Sequence, residues 1–219
     1  PMMPAEQKDF LFSHCYKKLL VLLDENSEEN LDFYSNSAVL NHIYRYISQH
    51  EFACGSFAFE TGRKPCFYPG TFDPFSLGHK AVACKIRDLG FDIYLALDEF
   101  SWSKHTQPRL MRRKIMNMSV ADEENMYPFP DDIPINIANP ADIKKLKGIF
   151  AGRDLYIAVG TDVIENASAY RAVPTPDSIH TVNHIAFARE TRENPEPGHQ
   201  EKTYGIQGKV IRLTLDKFY

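Results

Sequence analysis

The residues best suited to chemistry lie in one decapeptide, Gly70-Thr71-Phe72-Asp73-Pro74-Phe75-Ser76-Leu77-Gly78-His79. The run Cys66-Phe67-Tyr68 reads as a strand entering it. Residues 80–89 read as a helix leaving it, with Val82, Ile86 and Leu89 on one face and Gly90 as the stop. A proline-fixed turn from strand to helix makes an anion site, because the unpaired N–H groups of the first helical turn and the positive end of the helix dipole point into the loop. Ser76 is the expected N-cap, and His79 falls in the first turn. The competing reading is structural: His79 only caps or packs a helix, and the glycines only serve the turn.

From Lys64 onward, apolar strands alternate with amphipathic helices, the pattern of an α/β, mostly parallel, doubly wound sheet. Strands are expected at 92–97, 133–137, 154–159, 184–188 and 209–215. A helix is expected from Pro108, a suitable first position, with Met111, Ile115 and Met118 inward. Asn139-Pro140-Ala141-Asp142 opens another, which carries Ile143 and Leu146 and stops at Gly148. Residues 1–60 form a separate N-terminal helical extension, with apolar residues at helical spacing in Phe12, Tyr16, Leu19 and Leu23 and again in Leu40, Ile43, Tyr44 and Ile47, the second helix capped by Ser37; residues 61–219 form the main domain. The loop 192–205, rich in Glu, Pro and Gly, reads as mobile. In such sheets ligands bind at the carboxyl ends of the strands, where strand order reverses. Thr71 to Asp73, the segment 98–105, Gly160-Thr161-Asp162 and Arg189 all follow strands and collect there.

Tyr68-Pro69-Gly70-Thr71-Phe72-Asp73-Pro74, followed by Gly78-His79, resembles the nucleotidyltransferase superfamily marked by an (H/T/N)xGH signature. Gly160-Thr161-Asp162, Lys104-His105 and Arg113-Lys114-Ile115-Met116 are similar to segments of its nicotinate-mononucleotide adenylyltransferase branch. The resemblance implies a Rossmann-like sheet of nucleotidyltransferase type. It also implies in-line attack by a phosphate-bearing acceptor on the α-phosphate of a nucleoside triphosphate, with Mg2+ assisting and pyrophosphate leaving. On it, His79, Ser76 and Lys104 are the catalytic candidates. Gly70, Thr71, Phe72, Asp73, Gly78, Gly160, Asp162 and Arg189 are the nucleotide-binding candidates, and Trp102, His105, Arg113 and Tyr170 the candidates for holding the acceptor.

The chain also departs from the family pattern. Ser76 stands where the family has His, Thr or Asn, Lys104-His105 inverts the usual order, and Tyr170 falls where a nicotinate-specific enzyme often carries Trp. The family's second signature, I-S-S-T-x-x-R, is expected after the last strand, and the sequence stops at Tyr219. A polypeptide cut before that signature is the favoured expectation, with a degenerate binding domain as the other. Cytidylyltransferases and phosphopantetheine adenylyltransferase share the loop, and a non-catalytic nucleotide sensor is the reading from a different class.

Composition narrows the partners. The formal net charge is −4 over 219 residues with both signs interspersed, so no polybasic face points to nucleic acid or an anionic membrane. The longest aliphatic run, 19–23, is far short of a membrane span, which makes a cytoplasmic location the expectation. A homo-oligomer or an adjoining domain remains an open use for the N-terminal helices. Cys15, Cys54, Cys66 and Cys84 are widely spaced and read as reduced thiols. No metal-binding residues are assigned; His180 and His184 have i, i+4 spacing but no other feature of a zinc site.

Overall fold

The structure, a computed structural model, describes residues 38, 40, 52–53, 56–57, 63–98, 106–188 and 205–214. Ala38 and Leu40 are helical, and Phe52–Ala53 pairs antiparallel with Ser56–Phe57. The expected helices of the N-terminal extension otherwise lie outside the described residues, as does loop 192–205 up to Gly205.

Six strands form the main sheet: β1 (Lys64–Gly70), β2 (Phe91–Leu97), β3 (Met126–Pro128), β4 (Tyr156–Gly160), β5 (Asn183–Phe187) and β6 (Val210–Leu213). They run in the order β3-β2-β1-β4-β5-β6, and every neighbouring pair is parallel. This is the doubly wound order whose direction of growth reverses between β1 and β4. The register Cys66↔Tyr156 and Phe67↔Ile157, continued toward the carboxyl ends, carries Gly70 and Gly160 to the same level.

Both faces of the sheet are covered, as parallel strands require. On one face Cys66, Tyr68, Ile93, Leu95, Ala158 and Ile185 pack with Val82 and Ile86 of α1 (Leu77–Asp88) and Met116 and Val120 of α2 (Arg109–Val120). On the other, Phe67, Ile157 and Val159 meet Ile143 and Leu146 of α3 (Pro140–Ile149), together with Ile164 of α4 (Thr161–Asn166) and Tyr170 of α5 (Ser168–Arg171). Alternate residues of one strand thus belong to different cores, the period of two that a pleated strand dictates.

Several expectations need correcting. The third strand is Met126–Pro128, and 133–137 is irregular: Pro134 has no ladder donor, and Ile135 packs into the α3-side core instead. The packed face of α2 is Arg112, Met116 and Val120 rather than Met111, Ile115 and Met118, a rotation of one residue about the axis. Pro108 is the N-cap of α2, one position before the helix. Leu89 is the C-cap of α1 and 52% exposed, its place on the packed face taken by Ala83. Helix α3 runs past Gly148 to Ile149, with Asn139 Oδ1 accepting from Ala141 N–H as expected of its N-cap.

His180 and His184 are both completely buried. His184 Nδ1–H donates to Val182 O (2.8 Å), and its Nε2 accepts from the Tyr170 hydroxyl (3.0 Å). His180 Nε2 reaches Tyr170 O (3.3 Å) and its Nδ1 lies 3.2 Å from Ser178 Oγ. These rings are core polar groups whose hydrogen bonds are met, and no group of three metal-ligating side chains occurs among the described residues. Just beyond, Gly208 passes so close to β5 that a Cβ on it would lie 2.3 Å from Val182 O.

Two measurements test this side of the fold. Burial, with a smaller contribution from His180, lowers the His184 pKa from 6.5 to about 4. The neutral ring is the folded form, so its contribution is complete above pH 6.5 and is lost as pH falls toward 4, about 3 kcal/mol in all. Urea unfolding at pH 6.5 and pH 5, where most carboxylates stay ionised, should show stability falling, and the fall should shrink in His184→Gln. An unchanged slope would remove His184 as its cause. Gly208→Ala should cost about 1–3 kcal/mol through backbone overpacking, and a wild-type midpoint would contradict the close approach.

Candidate functional site

The open end of β1 is built around one aromatic ring. Phe72 has φ +44°, a left-handed conformation unusual for a residue with a Cβ, and it is 1% exposed. Its ring lies where Gly70 would carry a side chain: a Cβ there would sit 2.5 Å from Cε1 of Phe72. The same ring makes edge contacts with Tyr68 (5.3 Å between centroids), Phe75 (5.1 Å) and His79 (5.2 Å). Phe75 stacks on the His79 imidazole at 5.7 Å and 29°. Gly70 and Phe72, both nucleotide-binding candidates, therefore shape the turn from within.

Helix α1 starts as the sequence requires. Ser76 is the N-cap in extended conformation, and its hydroxyl accepts from the N–H of His79 at a long 3.5 Å. In return His79 Nδ1 accepts from Ser76 N–H (3.0 Å), with Ser76 Oγ at 2.9 Å. This is a capping box in which histidine replaces the usual Glu or Gln. The bond fixes the tautomer: with Nδ1 accepting, the neutral ring carries its proton on Nε2. The Ser76 hydroxyl is turned into this box. Gly78, at the second helical position, is exposed, and a Cβ on it would meet nothing nearer than Ser76 Oγ at 3.6 Å.

The neighbouring lysine is drawn away. Lys80 Nζ pairs with Glu123 (2.8 Å) and Asp122 (3.6 Å). Burial alone would raise the Glu123 carboxyl, but hydrogen bonds and charge from Lys80 and Arg87 hold it below its ordinary value.

Asp73 is exposed, and its Oδ2 accepts from Gln107 N–H (3.0 Å), so its carboxylate fastens the turn to the chain two residues before α2. Arg112, only 5% exposed, donates from Nε to Gln107 O (3.0 Å) and from Nη1 to Thr71 O. Thr71 is half-buried. Arg112 thus belongs to the packed face of α2, at i with Met116 and Val120 at i+4 and i+8. Arg113 is also partly buried: its Nη1 donates to Phe129 O (2.8 Å) and pairs with Asp131 (3.2 Å), which Arg109 shares (3.3 Å). Burial pulls the Arg113 guanidinium below its ordinary value against the opposing charge of Asp131.

Across the reversal point, Gly160 ends β4 and caps α4, and Asp162 Oδ1 lies 2.2 Å from where a Gly160 Cβ would stand. The small residue lets the Asp162 side chain fold back over the strand end. Tyr170 is not brought to this end as an acceptor contact. It is 3% exposed, and its hydroxyl is taken by His184, because α5 turns its ring into the core. Trp102, Lys104, His105 and Arg189 lie outside the described residues. The structure thus brings together Gly70, Thr71, Phe72, Asp73, Ser76, Gly78 and His79 in one turn, with Gly160 and Asp162 at the end of a neighbouring strand.

Comparison with known proteins gives the same frame. Two solved structures of the Plasmodium falciparum nicotinic acid mononucleotide adenylyltransferase, one complexed with NaAD and one with APC, superpose with TM-scores of 0.54 and 0.52. Each is 16% identical, over 72% of this chain and 77% of the other, which establishes a shared fold. No curated protein sequence matches the chain. The model of the cytidylyltransferase-like family matches residues 67–213, from the heart of β1 to the last residue of β6, and the chain belongs to that family.

Proposed function

We propose that the protein moves a nucleoside monophosphate, AMP from ATP, onto a phosphate-bearing acceptor such as nicotinate mononucleotide and releases pyrophosphate. The observation that carries this reading is Gly78 beside His79. Glycine inside a helix costs about 0.5–1 kcal/mol relative to alanine, and among the described residues nothing comes nearer to a Cβ here than Ser76 Oγ at 3.6 Å. Its use is then on the outside, where a small residue lets a phosphate come up to the first-turn N–H groups.

The chain's own groups fit the demands of such a transfer. A phosphate acceptor is already anionic at neutral pH and needs no base, so the work is alignment and charge neutralisation. Helix N–H groups of α1 would receive phosphate oxygens, and His79 Nε2–H would donate to the phosphate on which charge builds. Its ring is held by Phe72, Phe75 and the Ser76 N–H, so little reorganisation is needed. Asp162 beside Gly160 would accept from the nucleoside, and Arg113 and the segment with Lys104 and His105 would serve the acceptor. Mg2+ held by the triphosphate would supply neutralisation of phosphate charge.

The family's cytidylyltransferase-like description supports CMP transfer from CTP as the second reading. The relatives in complex with NaAD and APC support adenylyl transfer. No helix among the described residues is long and apolar enough to cross a membrane.

Magnesium-dependent pyrophosphate release with ATP or CTP against a panel of phosphate acceptors tests the reading and names the pair. His79→Ala should raise the barrier by about 2.7–4 kcal/mol, on the order of 10²–10³ in rate. Gly78→Ala should leave the melting temperature unchanged or raise it, because helix propensity improves, yet slow transfer. Nucleotide binding without release from any pair would favour a sensor, and normal turnover of His79→Ala would remove that residue from the chemistry.

A further inference from the structure

We propose that Arg112 is a positioning residue of the transfer site, a buried guanidinium that locks the Thr71–Asp73 turn to the start of α2. The inference rests on the transfer reading above and concerns how its turn is held. Three hydrogen bonds close a ring. Arg112 donates to Thr71 O on the turn and to Gln107 O before α2, and Gln107 N–H donates back to Asp73 Oδ2. The turn follows β1, and Gln107 stands two residues before the first residue of α2, so the ring spans 41 residues of sequence.

The choice of residue fits this task and no simpler one. A guanidinium is planar, has five donors in a fixed fork and stays charged, so it can serve two carbonyls in set directions; a lysine ammonium is a flexible point charge. Burying that charge is costly unless it is compensated. Among the described residues Arg112 forms no ion pair, and both of its side-chain hydrogen bonds go to backbone carbonyls. A stabilising surface pair would have placed a carboxylate there. A guanidinium under the turn adds positive potential toward a polyanion approaching Thr71 and the start of α1. The buried Phe72 ring holds the middle of the turn, and this set of hydrogen bonds holds its exposed Asp73 end.

Hydrogen exchange and kinetics on the full chain test the clamp in parallel. In Arg112→Gln the Gln107 amide should exchange at least about tenfold faster, while the β2 amides of Ile93 and Leu95 keep their protection. In the pyrophosphate-release assay kcat should fall by about 10²-fold, the scale of a misplaced site, with a smaller change in KM for the nucleotide. Added guanidinium should restore part of the loss in Arg112→Gly. If Arg112→Gln does not fold, Asp73→Ala at an exposed position opens the same ring from its other side and is read by the same Gln107 amide. Unchanged Gln107 exchange, or unchanged kcat in a folded Arg112 variant, overturns the clamp. Absence of transfer by the wild-type chain with every acceptor pair overturns the functional reading instead, and the exchange result then still decides whether the ring exists.

Discussion

The open end of this sheet depends on one steric fact: the ring of Phe72 occupies the space that a side chain on Gly70 would need. A left-handed residue with a Cβ costs on the order of 1–3 kcal/mol. Fully burying a phenylalanine side chain returns about 1.5–3 kcal/mol, so the conformation stands only because the ring is buried among Tyr68, Phe75 and His79. The Gly-Thr-Phe-Asp-Pro segment is therefore a packing unit before it is a binding motif. With Phe72 in place, Phe75 falls against His79, Ser76 reaches its capping position, and α1 begins with its free N–H groups facing the end of the sheet.

Charge is handled differently on the two sides of that turn. Below it, Lys80 and Arg87 meet Glu123 in ordinary paired fashion, and Arg63 and Arg153 both contact the buried carboxylate of Asp92. At the turn, the fold uses hydrogen bonds of backbone and ring: Ser76 N–H on His79, Gln107 N–H on Asp73, Asp98 N–H on Gly70 O (2.8 Å). Paired side chains stabilise the base of the sheet, while at its carboxyl end hydrogen bonds from backbone N–H groups hold the shape of the turn and α1 begins with the positive end of its dipole there.

Local features were legible in the sequence and long-range ones were not. The N-cap Ser76, the Asn139-Pro140 helix start and the strands around Ile93 and Ile157 follow from spacing and capping within a few residues. The third strand escaped because Met126–Pro128 has only three residues, too few to show a period, while 133–137 offers more apolar letters but a proline at its second position. Helix α2 was read one residue out of phase because its methionines and isoleucine outweighed an arginine; its burial comes from Thr71, which lies 41 positions away. Tyr170 was assigned by position in a family pattern, whereas His184, at a distance no pattern records, decides where its ring goes.

The central strand also sets how much chain each of its pairings must close. β1 pairs with β2 across a single intervening helix, but its other edge meets β4 through a register that joins residue 66 to residue 156. Pairing β1 with β2 therefore restricts less chain than pairing β1 with β4. Gly70 and Gly160 share a level only through the pairing that joins residue 66 to residue 156, so the crevice between them rests on long-range contacts rather than on either strand's neighbourhood in sequence.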